Sequence, residues 1–530
     1  MNTEHTTISQ YTCTENGGIA LDTTGNAITD YFMMYTRALT KEQHYKYIEK
    51  CWSISPEKTV AVIFNGRDRL AGKKEKTVSN QGMLWLRNNK PYTYMNNILT
   101  YINKYGRWKD ALYICYENND NGITKNYELT LFANKLREDL SDLNSDNEVH
   151  NISLCAKWAP SENDRNDTRK HFAKKLASIL YGKDDDKKME KYRKEYIAPL
   201  RKKINIVEKL MCNNEWDKIN YECVPGVASR RLHKAFNVHD SDRYCEYLLK
   251  VRNGTAKINV TGILPHELAN YYVNLRNTQD EYTENETIEL QWRTIVDNVK
   301  NSGILGNSLA VIDLSGSMFS ASNGSIPAQV AISLGIITSQ CCNGMFKNKF
   351  ITFSDEPKLV SLIPDELYKE YTEKGIEPSL YTCFKSLIDV DFGFNTDFVK
   401  CCECIIKYGM DNNISNDDMP KKLFIFTDMQ FDEANVDSEN KCVETVYKTI
   451  VKKFKAMGYT PPKFIFWNLN SAHKESFPVN CKTDGTAMIS GFSEQLLKIF
   501  MNYDEFNADL IVDEILAPYI KEVVIDDCEI

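Results

Sequence analysis

In this 530-residue chain the side chains with the clearest capacity for chemistry are Asp313, Ser315 and Ser317, in the run AVIDLSGSM. Three oxygen-bearing side chains at alternate positions of one turn can converge on a single hard cation. Gly316 between the serines lets the backbone turn tightly enough to aim both hydroxyls the same way. Two later segments offer the same kind of donor: Thr396 in GFNTDF and Asp428 in FIFTDMQF. Three hydroxyls and two carboxylates form a hard donor set. Such a set prefers Mg2+ or Mn2+ near octahedral geometry, with water or a partner's carboxylate in the remaining positions. Asp-x-Ser-x-Ser on its own also describes a helix-capping turn; the distant Thr and Asp are what favour the metal reading.

These residues need elements to bring them together. Residues 308–314 (SLAVIDL) form an apolar run of strand length that ends at the turn SGS. A helical pattern follows over 327–342, then strand-like runs at 349–353, 422–427 (KLFIFT) and 463–468 (KFIFWN), with helical patterns over 397–408 and 438–457. Continuous apolar strands alternating with helices predict a parallel, doubly wound sheet. In such a sheet ligands bind outside the carboxyl ends of the strands. Asp313, Thr396 and Asp428 all fall at that edge, and segments 494–501 and 509–524 read as closing helices.

The D-x-S-x-S, later Thr, later Asp pattern resembles the metal-ion-dependent adhesion site of von Willebrand factor A domains, which sits on a Rossmann-like α/β sheet. The resemblance implies a Mg2+ that bridges the domain to an acidic residue of a protein partner. Ser315, Ser317 and Thr396 would be direct or near-direct ligands, and Asp313 and Asp428 would hold the metal directly or through water. A hydrolase reading is weaker. Ser317, Asp428 and His473 stand in nucleophile–acid–histidine order, but the elbow needs small residues two places either side of the serine, and Phe319 breaks it. No G-x-x-x-x-G-K-[ST] phosphate loop occurs.

Before residue 303 the chain reads as helices joined by polar turns. Segments 30–39, 95–105, 126–140, 167–181, 189–211 and 266–275 place apolar residues three and four apart. The run 59–64 (TVAVIF) fits either a strand or a buried helical turn. Irregular helical hairpins without a fixed period predict a diverged α-solenoid. The expected organisation is an extension over 1–29, a helical-repeat domain over 30–302 and an α/β domain over 303–530.

Four stretches carry a further resemblance: YGRWKDAL (105–112), AKWAPSEN (156–163), EWDKINYECVPGVASRRLHKAF (215–236), and NTDF with TDMQFD (395–398, 427–432). With the adhesion-site motif they resemble the DUF2828 family of plants, fungi and giant viruses, itself related to the TROVE module of the Ro autoantigen. The resemblance spans about residues 30–500. It implies HEAT-like, TROVE-like helical repeats that bind small structured RNA, closed by a von Willebrand A domain. Relatives carry an RD…GKG-like loop where this chain reads GRDRLAGKKEK.

Read on their own terms, basic clusters interleaved with aromatics, such as Arg201, Lys202 and Lys203 or Arg230, Arg231 and Lys234, could neutralise phosphates. They could equally be solvated helix faces, with acids such as Asp184–186, Glu190 and Glu195 close by. Trp85, Trp108, Trp158 and Trp216 fit a core better than base platforms. A net charge of -8 excludes a globally basic nucleic-acid binder.

Sixteen cysteines without an export signal fit reduced, buried thiols. The pair Cys401 and Cys404 lacks a well-placed second pair for zinc. No stretch approaches the 18 or so apolar residues of a membrane span. The expectation is an intracellular, non-enzymatic scaffold with a Mg2+ or Mn2+ site and an Asp- or Glu-bearing protein partner. The alternatives are a Ro-like RNA-binding component whose α/β domain is structural, or a virion-associated structural protein.

Overall fold

The computed structural model describes residues 11–529 apart from 118–122, 146–150, 163–166, 168–169, 205, 279–282, 304, 320–325, 354–356, 389–396, 432–445, 473–474, 502 and 504. Its eight described strands, in chain order, are β1 (Tyr11–Cys13), β2 (Ile19–Leu21), β3 (Ser308–Ile312), β4 (Lys349–Thr352), β5 (Leu359–Ser361), β6 (Lys422–Thr427), β7 (Lys463–Asn468) and β8 (Thr486–Ser490). Between β2 and β3 every described regular element is helical.

Local chemistry explains many helix boundaries. Thr40 and Gln43 exchange side-chain and backbone hydrogen bonds at the start of helix Lys41–Trp52, a capping box. The ambiguous run at 59–64 belongs to helix Pro56–Arg67, because Ser55 caps it and Pro56 occupies its first turn. This helix is buried along almost its whole length, which erases the apolar period a surface helix would show. Helix Pro91–Thr100 runs into a π-helical turn, Tyr101–Tyr105, that ends at Gly106. A Cβ on Gly106 would lie 2.9 Å from Asp110 Oδ2, so the YGRWKD motif needs its glycine for close packing.

The large sheet has the order β5-β4-β3-β6-β7-β8. All its neighbours are parallel except β4 and β5, which pair antiparallel at one edge. It is therefore a mixed sheet rather than the wholly parallel one expected. β3, β6 and β8 are buried at every position and β7 at all but Lys463. Helix Pro327–Cys341 packs on β3 through Gly335, where a Cβ would meet Ile312 at 2.4 Å. From β3 the chain moves outward to β4 and β5, then returns to place β6 on the other side of β3. The reversal creates a switch point between the carboxyl ends of β3 and β6, where ligands bind in sheets of this kind.

The helical half and the sheet share one apolar cluster, from Leu21 through Trp85 and Phe132 to Trp467 and Tyr519. Within the segment expected as an N-terminal extension, β1 and β2 form a hairpin, and Leu21 bridges to Phe477 by backbone hydrogen bonds of 2.8 and 2.9 Å. Helix Ala27–Met34 is buried throughout and lies against β7 and β8. Helix Ala508–Ile520 packs on both Pro56–Arg67 and β8. Glu529 then accepts from the Tyr92 and Thr93 amides at the start of helix Pro91–Thr100, at 3.0 and 2.8 Å.

Candidate metal centre

Parallel pairing of β3 and β6 sets Ile312 opposite Phe426, and the Asp313 amide continues the ladder by donating to Phe426 O at 3.0 Å. Asp313 is thus the first residue beyond β3 and Asp428 the first beyond β6, on strands whose usual spacing is about 4.8 Å. Both are buried. The Ser315 amide donates to Asp313 Oδ1 at 2.9 Å, and Thr427 Oγ1 donates to Asp313 Oδ2 at 2.6 Å. The Ser315 and Ser317 hydroxyl oxygens lie 3.2 Å apart. Ser315 is buried and Ser317 half-buried, so the turn reaches from the sheet edge toward solvent.

Beyond β6, Met429 adopts φ 67°, which folds the chain back on itself. The Met429 amide donates to Thr427 Oγ1 at 3.1 Å and the Gln430 amide to Asp428 Oδ1 at 3.3 Å. The N-terminal hairpin holds this turn from outside. Thr14 Oγ1 donates to Phe431 O at 2.6 Å, the Glu15 amide to Gln430 Oε1 at 2.8 Å, and Asn16 Nδ2 to Gln430 O at 2.7 Å.

Burial first, and the Asp428 carboxylate second, push the Asp313 carboxyl well above its ordinary value; the Thr427 and Ser315 hydrogen bonds only partly offset this. Among the described residues no three His, Cys, Asp or Glu side chains cluster as a metal site. The donors gathered here are two carboxylates with two serine hydroxyls, a hard-oxygen set that fits Mg2+ or Mn2+ and lacks the soft ligands of zinc.

Asp313, Ser315, Ser317 and Asp428 are therefore brought to one rim. Thr396 and the alternative histidine, His473, lie outside the described residues. Asp397, next to Thr396, caps helix Phe398–Asp411 by accepting from the Lys400 amide at 3.0 Å. Sequence reasoning missed Thr427, whose hydroxyl fixes the Asp313 carboxylate; its place at the end of a buried strand beside Asp428 was the available signal.

The basic residues proposed for RNA divide into two groups. Arg201 donates to Ala156 O, Ala159 O and Ser161 Oγ at 2.8–3.1 Å, which pins the AKWAPSEN motif. Arg230 donates to Glu267 O and Oε1 at 2.8 and 3.2 Å. Lys202, Lys203, Arg231 and Lys234 are exposed. Trp85 and Trp108 are core residues, Trp158 is half-buried, and Trp216 stacks on His239 at 4.6 Å.

The GRD and YGRWKD motifs meet. Arg67 donates to Asp110 Oδ2 at 3.0 and 2.7 Å, and the same carboxyl accepts from the Arg107 amide and from Asn80 Nδ2. Lys73 of the AGKKEK loop is wholly buried and donates to Phe32 O and to Ser490 Oγ at 2.5 and 2.7 Å.

The motif stretches thus prove to be parts of one folded assembly, and comparison with known proteins agrees. The model of a domain of unknown function, DUF2828, matches residues 14–130 and 128–305. The chain belongs to the DUF2828 family. A second domain of unknown function, DUF7788, matches residues 307–518, which include the candidate metal centre of this DUF2828 protein. A relative, "Uncharacterized protein L728" of Acanthamoeba polyphaga mimivirus, is 30% identical over 545 residues, covering 97% of this chain and 89% of the viral protein. Among the described residues of the DUF2828 protein no helix is long and apolar enough to cross a membrane, and every cysteine is a free thiol.

Proposed function

We propose that this protein is a binding scaffold whose sheet domain, of von Willebrand A type, holds a divalent cation and offers it to a carboxylate of a protein partner. The observation that carries this reading is the pair of buried carboxylates, Asp313 and Asp428, at the ends of two neighbouring strands, beside a turn whose two serine hydroxyls lie 3.2 Å apart. Asp428 acts on Asp313 as a like charge, and a hard cation held between such carboxylates would offset that repulsion. Asp313, Ser315, Ser317 and Asp428 would hold it, with Thr396 as the fifth donor. The ion would contribute a Lewis-acidic position to which a partner's Asp or Glu can bind.

The protein's own residues prepare the site. Thr427 orients Asp313, the Gln430 amide orients Asp428, and the N-terminal hairpin fixes Gln430. Helix Ala508–Ile520, packed between β8 and Pro56–Arg67, provides a route by which partner binding could reach the helical half.

The test is Mn2+ binding, followed by water-proton relaxation, in wild type and in Ser315→Ala/Ser317→Ala. Saturable binding to one site that the double variant loses supports the reading; equal binding by both proteins rejects it. For RNA, the helical half retains Lys202, Lys203, Arg231 and Lys234 as exposed cations. Crosslinked RNA enriched no further than on an unrelated acidic protein would remove that role.

A further inference from the structure

A groove of about 540 Å3 runs along a seam in the helical half. Trp158 and Ile204, packed on the large apolar cluster, line one side. Val207, Val224 and Leu232, from a smaller cluster around Phe236 and Tyr244, line the other. The floor is aliphatic, whereas Arg107, Lys157 and Arg231 stand at the rim against a single carboxylate, Glu208. None of these three cations is in an ion pair with another described residue.

More positive charge lies behind them. Lys109 Nζ sits 4.7 Å and Lys157 Nζ 5.7 Å from the Trp158 ring centre. Arg69 and Lys76 each lie near Arg107 and Arg67, and burial first, with this like charge second or lower, lowers the pKa of Arg69, Lys76 and Arg107. Asp110, the main nearby anion, already takes both Arg67 hydrogen bonds. On a chain of net charge -8, this concentration of cations around a few carboxylates is a local reversal of sign, and it attracts anions.

The floor decides which anion. A nucleic-acid strand requires flat faces for its bases. Trp158 is the one aromatic residue among the described lining, and lysines approach its ring. Aliphatic walls instead take branched side chains. We propose that the groove docks an acidic, aliphatic peptide segment of a partner protein, with Leu, Ile or Val side chains on the floor and Asp or Glu against Arg107, Lys157 and Arg231. This contact goes beyond the metal centre and is independent of it.

The test is to pan a random dodecapeptide phage library on the full chain in EDTA, then measure the best peptide by fluorescence anisotropy. Enriched peptides should combine Asp or Glu with Leu, Ile or Val, and their affinity should be the same in EDTA and in Mg2+. Lys157→Glu/Arg231→Glu should weaken binding by about tenfold or more, and the milder Lys157→Gln/Arg231→Gln by less. Both pairs alter surface side chains outside any ion pair, so unchanged melting temperatures will show that the fold is intact. Enrichment of basic or purely apolar peptides, undiminished binding to the Glu variant, or tighter binding of a single-stranded RNA oligomer at the same residues would overturn the proposal.

Discussion

Buried charge is handled in opposite ways in the two halves of this molecule. In the helical half several buried charges meet an opposite charge. Arg67 pairs with Asp110 at 2.7 Å, Arg87 with Glu128 at 2.6 Å, and Lys74, from the loop, with Glu494 at 2.9 Å. At the carboxyl ends of β3 and β6 two carboxylates lie together, and Asp428 acts on Asp313 as a like charge. The first arrangement is complete within the chain and holds the fold. The second, on the reading proposed above, would take a divalent cation as its countercharge. Perturbed carboxylates in a cleft or at a sheet edge are candidates for function, whereas paired ones in a core serve the fold; on that ground the DLSGS rim, rather than the YGRWKD network, is the candidate site.

The contrast can be broken in steps. The largest effect should come from Asp110→Ala, which strands the Arg67 guanidinium in the core. Breaking a buried pair in this way costs about 3–5 kcal/mol, to be read from the urea midpoint; a loss below about 1 kcal/mol would mean that the network is dispensable. Lys73→Met keeps the packing of a buried amine that joins Phe32 to Ser490, and should cost about 1–3 kcal/mol through its lost hydrogen bonds.

Asp313→Asn should behave differently. Without divalent cation it removes repulsion with Asp428, so stability should fall by less than about 1 kcal/mol or should rise. The sign of its pH dependence follows from its pKa, which burial and Asp428 raise from 3.8 to about 7. Between these values the folded wild type binds more protons than the unfolded chain, so this carboxyl erodes stability as pH rises from about 4 to 7 and adds no further change above. Thermal melts of wild type and Asp313→Asn across that range should therefore converge or cross, with the variant gaining as pH rises; parallel curves would contradict the assignment. The smallest effect should be that of Thr14→Val, which removes the hydroxyl that donates to Phe431 O and accepts from the Gly18 amide at the hairpin, and should cost about 0.5–1.5 kcal/mol in the same urea assay.

The placing of four candidate-site residues at one sheet edge was more legible in the sequence than the scaffold around them. Asp313, Ser315 and Ser317 could be read because they are local, and Asp428 because it directly ends the unbroken apolar run of β6. Strand β5 escaped notice because it has three half-buried residues on an edge, and β8 because Thr and Ser bound its short apolar centre. The helix Pro56–Arg67 was ambiguous because burial on all sides removes the apolar period. Arg201 and Arg230 looked like phosphate grips because their partners lie far along the chain, on carbonyls at Ala156, Ala159 and Glu267. Arg67 and Asp110, 43 positions apart, form a pair that only the fold discloses.

The central proposal, that the paired carboxylates at the sheet edge hold a divalent ion, is tested most directly by melting temperature during a Mg2+ titration of wild type and Asp313→Asn. The wild type should gain stability in a saturable way, with each tenfold rise in free Mg2+ above Kd adding about 1.4 kcal/mol, while the variant should stay flat. An equal response of the two proteins, or no response of the wild type, would contradict the account.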